Sequence, residues 1–573
     1  MSKAVRKGSQ AAPQGAALTK EEAARGERLL VIAAAALLSL TAFCYFFSRG
    51  DLLLYGDAVA HLNIARRLTD SRNAGWDQIG TVWLPLPHLL AAPFVAFQGL
   101  WRSGVGASLP SMAAYILGVL GIFRLLRGRA SAMAATLGVA IYGLNPSLLY
   151  LQSTAMTESI FLCAYVWAIA YFDEFLRALS EKPEGREATL PAWLALERSG
   201  LCLAAGVFTR YDGWFYAFFT GVAAVLMAAR WMLARGNTPQ TRRLLRSVVS
   251  FLLLLALCPV LWLAHNYKNS GRPLDWLNGP YSAKAIEQRS TRPGDPPYPG
   301  KDHPIVAAEY FLKAARMNTG EGGREYWLLA LAAAGAVLTL ARYRRFTPML
   351  LLWMPLPFYA YSVAFGSVPI FVPEWWPFSY YNVRYGLELL PAFAVFAAML
   401  PWAVSEFASQ RQIRRAETVA YAVVFVAMFG AYQSSAMCAS KRSQDRSWGR
   451  DTMIPICYRE AWANSRSRLP VEKQLGDMLS AIPSDATVMM YTSEHVGAIQ
   501  LSGIPFRRVI NESTFIAWDA ALSAPYATAD YVVAFTGDPV DRAVHVNPRG
   551  LTKLTILHTL DGPEVTLYRT SRR

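Results

Sequence analysis

The sequence predicts a polytopic α-helical membrane protein that ends in a soluble α/β domain. Three observations carry that expectation. Several windows of about 17–20 residues lack charge, long enough to cross a bilayer as helices. Lys and Arg gather in short segments between these windows, the pattern that sets membrane topology. From about residue 440 the apolar windows stop and short β-rich runs begin.

Composition agrees. The hydrophobic share is 54% against 17% charged, apolar for a soluble protein. The formal charge of +16 invites a nucleic-acid reading. No basic stripe interleaved with exposed aromatics supports one, so nucleic acid is not an expected partner and membrane lipid is.

In chain order, 1–28 is a basic tail with Lys3, Arg6, Lys7, Lys20, Arg25 and Arg28. The first span, 29–47, has no small-residue cleavage signal after it and reads as an uncleaved anchor. The apolar run 88–101 is short and proline-flanked, which suits an interfacial helix. Further spans are expected at 109–126, 131–150, 156–176, 193–209, 213–231, 247–265, 326–341, 347–365, 385–403 and 418–436, about eleven with the first. Alternation from a cytoplasmic N-terminus puts the arginine-rich segments 124–129, 177–198, 230–246, 342–345 and 411–415 inside, as the positive-inside rule requires. An odd count then puts the C-terminal region outside. The division expected is a cytoplasmic tail 1–28, a membrane module 29–436 with its first outer loop at 48–108, and an extracytoplasmic α/β domain 437–573. Without eukaryotic targeting signals, the expected location is a bacterial inner membrane.

In the C-terminal region, 486–492, 506–510, 530–535, 551–557 and 564–570 read as strands. Short helices fit 495–502 and 515–524. Of six cysteines, Cys44, Cys163, Cys202 and Cys258 fall in or beside apolar spans and suit packing. Cys438 and Cys457 follow the last span and could form a disulfide if that region lies outside. No CxxC pair appears, which argues against thiol redox chemistry and a zinc ribbon.

The candidate chemistry gathers in 51–90. That loop carries Asp57, His61, Asp70, Asp77 and His88 beside Trp76 and Trp83, more ionisable groups than packing needs next to a membrane. Asp57 could be a general base toward an acceptor hydroxyl, a metal ligand with His61 or His88, or a helix N-cap. Asp57 and His61 are four apart and would share a helix face. Glu158, at the outer start of a span, could be a second acidic group in the same cavity or part of a capping box with Ser153 or Thr154. Arg210 could pair with Asp212 or contact a lipid phosphate. His265, Lys268, Arg272 and Arg384 are basic groups expected on the outer side, against the positive-inside trend. Phosphate binding explains them, as does snorkelling. No GxSxG elbow or HExxH appears.

The order of YGDAVAHLNIARRL, TVWLPLPHLLAAP, NPSLLYLQSTAMTESIFL, LAAGVFTRYDGWFY, HNYKNSGRPL and RYGLELLP resembles the GT-C superfamily of integral membrane glycosyltransferases. The likeness is strongest to the branch of protein O-mannosyltransferases and aminoarabinose transferases. It runs over about residues 50–400. The resemblance implies a sugar donor on a polyprenyl phosphate, a lipid, glycan or protein acceptor approaching from the outer side, and inversion at the anomeric carbon. It maps the family's first-loop acid onto Asp57 as general base and its second acidic position onto Glu158. Arg210, His265, Lys268, Arg384 and Trp83 would serve the donor and its phosphate. A divalent metal held by Asp57, His61 and His88 is a side expectation, since no cofactor is certain. No WWD-type motif occurs in the soluble domain; Trp375-Trp376-Pro377 lies in a membrane loop.

The alternatives are a transporter or flippase of lipid-linked glycans, and a non-catalytic scaffold with a ligand-binding outer domain. Transport predicts internal repeats and polar residues near mid-membrane. Here the ionisable residues sit mainly at span ends.

Overall fold

A computed structural model describes residues 20–180, 190–409, 416–442, 455–493, 495–558 and 563–572. Most of the basic tail and the 411–415 segment fall outside these.

Nine helical stretches among the described residues are long and apolar enough to cross a membrane, so the chain is a multi-pass membrane protein. The helices relevant to the site are α1 (Lys20–Arg49), α2 (Gly56–Arg67), α3 (Leu86–Val95), α4 (Val105–Arg127), α5 (Ala132–Gly143), α6 (Pro146–Leu151), α7 (Glu158–Ser180), α8 (Leu190–Val207), α9 (Asp212–Arg235) and α10 (Pro239–Ser270). They continue with α11 (Pro304–Met317), α12 (Glu325–Arg342), α13 (Pro355–Phe365), α14 (Leu390–Ser409) and α15 (Ala416–Arg442).

Two of about eleven expected spans fall outside these nine. The stretch 131–150 is not one helix. Asn145 caps a new start by accepting from the Leu148 N–H at 2.9 Å, and Pro146 opens α6. A proline at the first helical position supports such a restart. The other exception, α8, is 18 residues long but carries Glu197 and Arg198, which dilute its hydropathy. It still runs antiparallel to α7: Ser199 donates to the Ala168 carbonyl at 2.9 Å, and Arg210, just past its end, meets Glu158 at 3.3 Å. α8 therefore packs along α7.

At the far end of the bundle the basic connections are held by acids. Arg129 pairs with Asp173 at 2.6 Å, Arg124 with Glu174 at 2.5 Å and Arg127 with Glu27 at 3.0 Å. Proximity is bought with small residues elsewhere. A Cβ on Gly335 of α12 would collide with the Phe396 carbonyl of α14.

The C-terminal region contains α16 (Ile456–Ser465), α17 (Arg468–Ser480), α18 (Val496–Ser502) and α19 (Ile516–Ser523). Its five strands are β1 (Val488–Met490), β2 (Val509–Ile510), β3 (Tyr531–Phe535), β4 (Leu551–Leu557) and β5 (Val565–Thr570), each inside its expected run to within a residue. They form one sheet in the order β2-β1-β3-β5-β4. β1 pairs parallel with β2 and β3, whereas β5 is antiparallel to β3 and β4. Alternation along the strands divides the core. Val488, Met490 and Val533 join the large core shared with the membrane helices, and Met489, Val532 and Ala534 pack with Trp518 on the other face.

α16 is buried among the membrane helices. Cys457, the described half of the expected Cys438–Cys457 pair, is a buried free thiol that donates to Asn318 Oδ1 at 3.1 Å. The side chain of Cys438 lies outside the described residues.

Candidate active site

One cavity of about 2190 Å³ opens where α2, the start of α9, the loop after α10 and the tip of the C-terminal domain meet. Asp57, Trp83, Arg210 and Arg384 all line it.

α2 begins after Tyr55, whose side chain makes no cap bond, and Asp57 sits in the first turn. Its carboxylate turns to Arg384, with Oδ2 at 2.5 Å from Nη2. Asp57 thus acts as no cap; it is an ion-pair partner at a cavity wall, with its side chain 35% exposed there. Arg384 lies in the 3-10 turn Val383–Leu389. It also donates to Glu158 at 3.1 Å and lies 3.5 Å from Glu460. Arg210 meets Glu158 at 3.3 Å, Asp212 at 2.9 Å and Glu388 at 3.2 Å. The Tyr385 ring lies 4.8 Å from the Arg210 guanidinium and 5.1 Å from that of Arg384. Tyr359 Oη closes the set, 2.6 Å from Glu388 and 3.0 Å from Asp212.

Five carboxyl groups therefore surround two guanidiniums. The buried members of such a cluster need their partners, because a buried charge left alone costs several kcal/mol. Glu158 is 1% exposed and bridges both arginines, so the capping-box reading of Glu158 is not what forms. The Arg210–Asp212 pairing does form, but as one arm of the network.

Glu460 was not visible as a site residue in the sequence. It comes from α16 and is fully buried. Its carboxylate accepts from the backbone N–H of Val383 and Arg384, both at 3.2 Å, and from the Tyr55 hydroxyl at 2.9 Å. Burial raises its proton affinity, while Arg384 and these donors work against that. Glu388 was also missed, although an acid inside an apolar span is a signal for function. Glu460 in CYREAW carries no comparable mark.

The remaining expected residues lie elsewhere. His61 Nδ1 is 2.9 Å from His88 Nε2, with Trp83 edge-on to His61 at 4.5 Å. Both imidazoles are buried. Burial, then Arg384 and Arg210, push His61 down to about 3. Among the described residues no group of three His, Cys, Asp or Glu side chains could hold a metal. Asp57, His61 and His88 do not come together as the side expectation had it: the imidazoles contact each other and Asp57 faces Arg384. His265 takes a bond from Trp76 Nε1 at 2.9 Å and contacts the Gly80 carbonyl at 2.8 Å. Lys268 pairs with Asp77 at 2.9 Å on the surface. Neither lines the cavity among its described residues; both pin the loop around residues 76–80 to the end of α10.

No protein-family model matches the sequence, and a search of curated proteins gave no match. Solved structures do match. ArnT from Cupriavidus metallidurans in the apo state superimposes with a TM-score of 0.58 at 11% identity, over 96% of this chain and 99% of that one. The same protein bound to undecaprenyl phosphate gives 0.55 at 11% identity, over 95% and 98%. The apo Archaeoglobus fulgidus oligosaccharyltransferase gives 0.45 at 13% identity, over 89% and 69%. The chain thus shares the fold of ArnT over 96% of its length, from the first span through the C-terminal domain.

Proposed function

We propose that this chain is an inverting glycosyltransferase. It moves a sugar, hexosyl or pentosyl, from a polyprenyl-phosphate donor to a lipid, glycan or protein acceptor. The observation that carries this reading is Asp57. It is a carboxylate held by Arg384 on the wall of a cavity that joins a buried ionic network to apolar and aromatic surface. The fold likeness to ArnT, one of whose structures holds undecaprenyl phosphate, supports the same donor class here.

The chemistry needs few parts. Asp57 takes the proton of the acceptor nucleophile as that atom bonds to the anomeric carbon. The sugar–phosphate bond breaks on the opposite face, which inverts the configuration, and the lipid phosphate departs with the electron pair. Arg384 orients the base through one carboxylate oxygen. Arg210 and Arg384 supply positive charge at the cavity wall, partly spent on Glu158, Asp212, Glu388 and Glu460. Positioning in a preorganised polar site then provides most of the rate. Because the residues do not assemble a metal site, no step runs through one. The outer side of a bacterial inner membrane is the proposed place of reaction, with the N-terminus cytoplasmic.

The test is transfer by the purified chain in liposomes, offered a panel of polyprenyl-phosphate sugars. Turnover by wild type and its loss in Asp57→Asn supports the reading. Full turnover in the variant removes Asp57 as base. Donor binding with no turnover across the panel favours transport.

A further inference from the structure

α2 lines the cavity along its whole length. Gly56, Val59, Ala60, Asn63, Ile64 and Arg67 all face it, spaced three or four apart as one helical face requires. Asp57 stands at one end of this wall and Arg67 at the other. Ten residues at 1.5 Å rise put them about 15 Å apart along the axis.

Arg67 is unlike the two arginines of the ionic network. Its Nη1 donates to Ser513 Oγ at 3.0 Å, yet its Nε is buried with no hydrogen-bond partner among the described residues. The carboxylate acting on it is Glu512, whose oxygens are taken by the Thr492 N–H at 2.9 Å and the Thr492 hydroxyl at 2.8 Å. Beside it, Gln78 is 2% exposed. Gln78 donates through Nε2 to the Ser513 carbonyl at 3.0 Å, which leaves Oε1 buried without a donor. Phe515 lines the same end of the cavity. Its φ of 49° is positive, a backbone conformation that a non-glycine residue keeps only where the surroundings impose it.

Arg67 and Gln78 both bond Ser513 and line the cavity with Phe515, and each keeps one polar atom without a partner among the described residues, a set that matches an oxyanion next to a hydroxyl on a sugar. We propose that Arg67, Gln78 and Phe515 form a second subsite that holds an oxyanion-bearing sugar of the acceptor. A phosphate or a carboxylate provides the same chemistry. The donor phosphate is bonded to the reacting sugar beside Asp57, so a site about 15 Å away belongs to another part of the substrate pair. The acceptor's anionic sugar then lies some two or three residues from the nucleophile. The C-terminal domain, through Ser513 and Phe515, builds this subsite together with α2.

The word acceptor rests on the transferase reading, so the test uses binding alone. Full-length protein in nanodiscs is imaged by cryo-electron microscopy with tungstate, an oxyanion visible by its density. The expected result is density within hydrogen-bond distance of Arg67 in wild type and none there in Arg67→Gln. Thermal-melt titrations with glucose 6-phosphate, glucuronate and glucose then rank the probes. The two anions should bind at least about tenfold tighter than glucose, as a charge-assisted contact implies, and the better one names the oxyanion. If Arg67→Gln does not fold, Gln78→Leu serves: tungstate density stays, and glucose 6-phosphate binding weakens. No tungstate density at Arg67 in wild type, or equal affinity for glucose and both anions, overturns the subsite. A protein that binds tungstate at Arg67 yet transfers no sugar keeps the subsite and loses the transferase reading. One that transfers sugar without binding there does the reverse.

Discussion

At the scale of single residues, the site is a balance of charges in which each member has several partners. Asp57 is the one network acid with a substantially exposed side chain, so it is the one open to the cavity. Asp57→Asn should lower kcat by about 10²–10⁴, the span of general-base catalysis, with only a small change in melting temperature. Arg384→Gln is different. It strips Asp57, Glu158 and Glu460 of a shared partner, and removing one member of a buried pair costs about 3–5 kcal/mol. A thermal melt should show that loss, and Arg384→Lys should restore little of it, because an ammonium lacks the fork that reaches several carboxylates. His61 gives a pH dependence. Its folded pKa is depressed to about 3, so the native state keeps it neutral where the unfolded chain binds a proton. The resulting stability is present above pH about 6.5 and is lost as pH falls toward about 3. Melting temperatures across that interval should fall on acidification, and His61→Gln should flatten the slope.

At the scale of elements, close backbone approach fixes where the arginines stand. Gly386 lies two residues after Arg384, and a Cβ there would come within 2.4 Å of Ala314 and Ala315 of α11. Overpacking at such a crossing costs about 1–3 kcal/mol or more, and the shift would move Arg384. Gly386→Ala should therefore lower both melting temperature and transfer, whereas Gly323→Ala, with nothing near its added Cβ but a φ of 91°, should cost backbone strain without a loss of kcat. The elements themselves were largely legible in the sequence. Apolar windows marked the spans, and turn signals bounded all five strands. The Asn145-Pro146 restart was written in the residues too, but a hydropathy window averages over it.

At the scale of the whole molecule, the C-terminal region is part of the site. α16 delivers Glu460 to Arg384. Arg468 donates to the Leu53 and Leu54 carbonyls at 3.1 and 2.9 Å, just before α2. Arg507 pairs with Asp70 at 3.0 Å. A chain ended after residue 442 should lose donor binding as well as transfer, measured with a polyprenyl-phosphate sugar in liposomes. A domain that only capped the cavity would leave donor binding intact.

The sequence by itself determined the membrane class, the strand set, the presence of Asp57 in the first outer loop and that of Glu158, Arg210 and Arg384 at span ends, because hydropathy and charge are local properties that a window can read. Only the tertiary structure decided the pairings. Asp57 meets Arg384 across 327 residues and Glu460 reaches Arg384 across 76. It separated His61 from Asp57 although they are one helical turn apart, since a cavity and a packed core can lie on adjacent faces of one helix. It also left His265 and Lys268 outside the cavity. Contact at such separations depends on how helices cross, and no run of neighbouring residues encodes that.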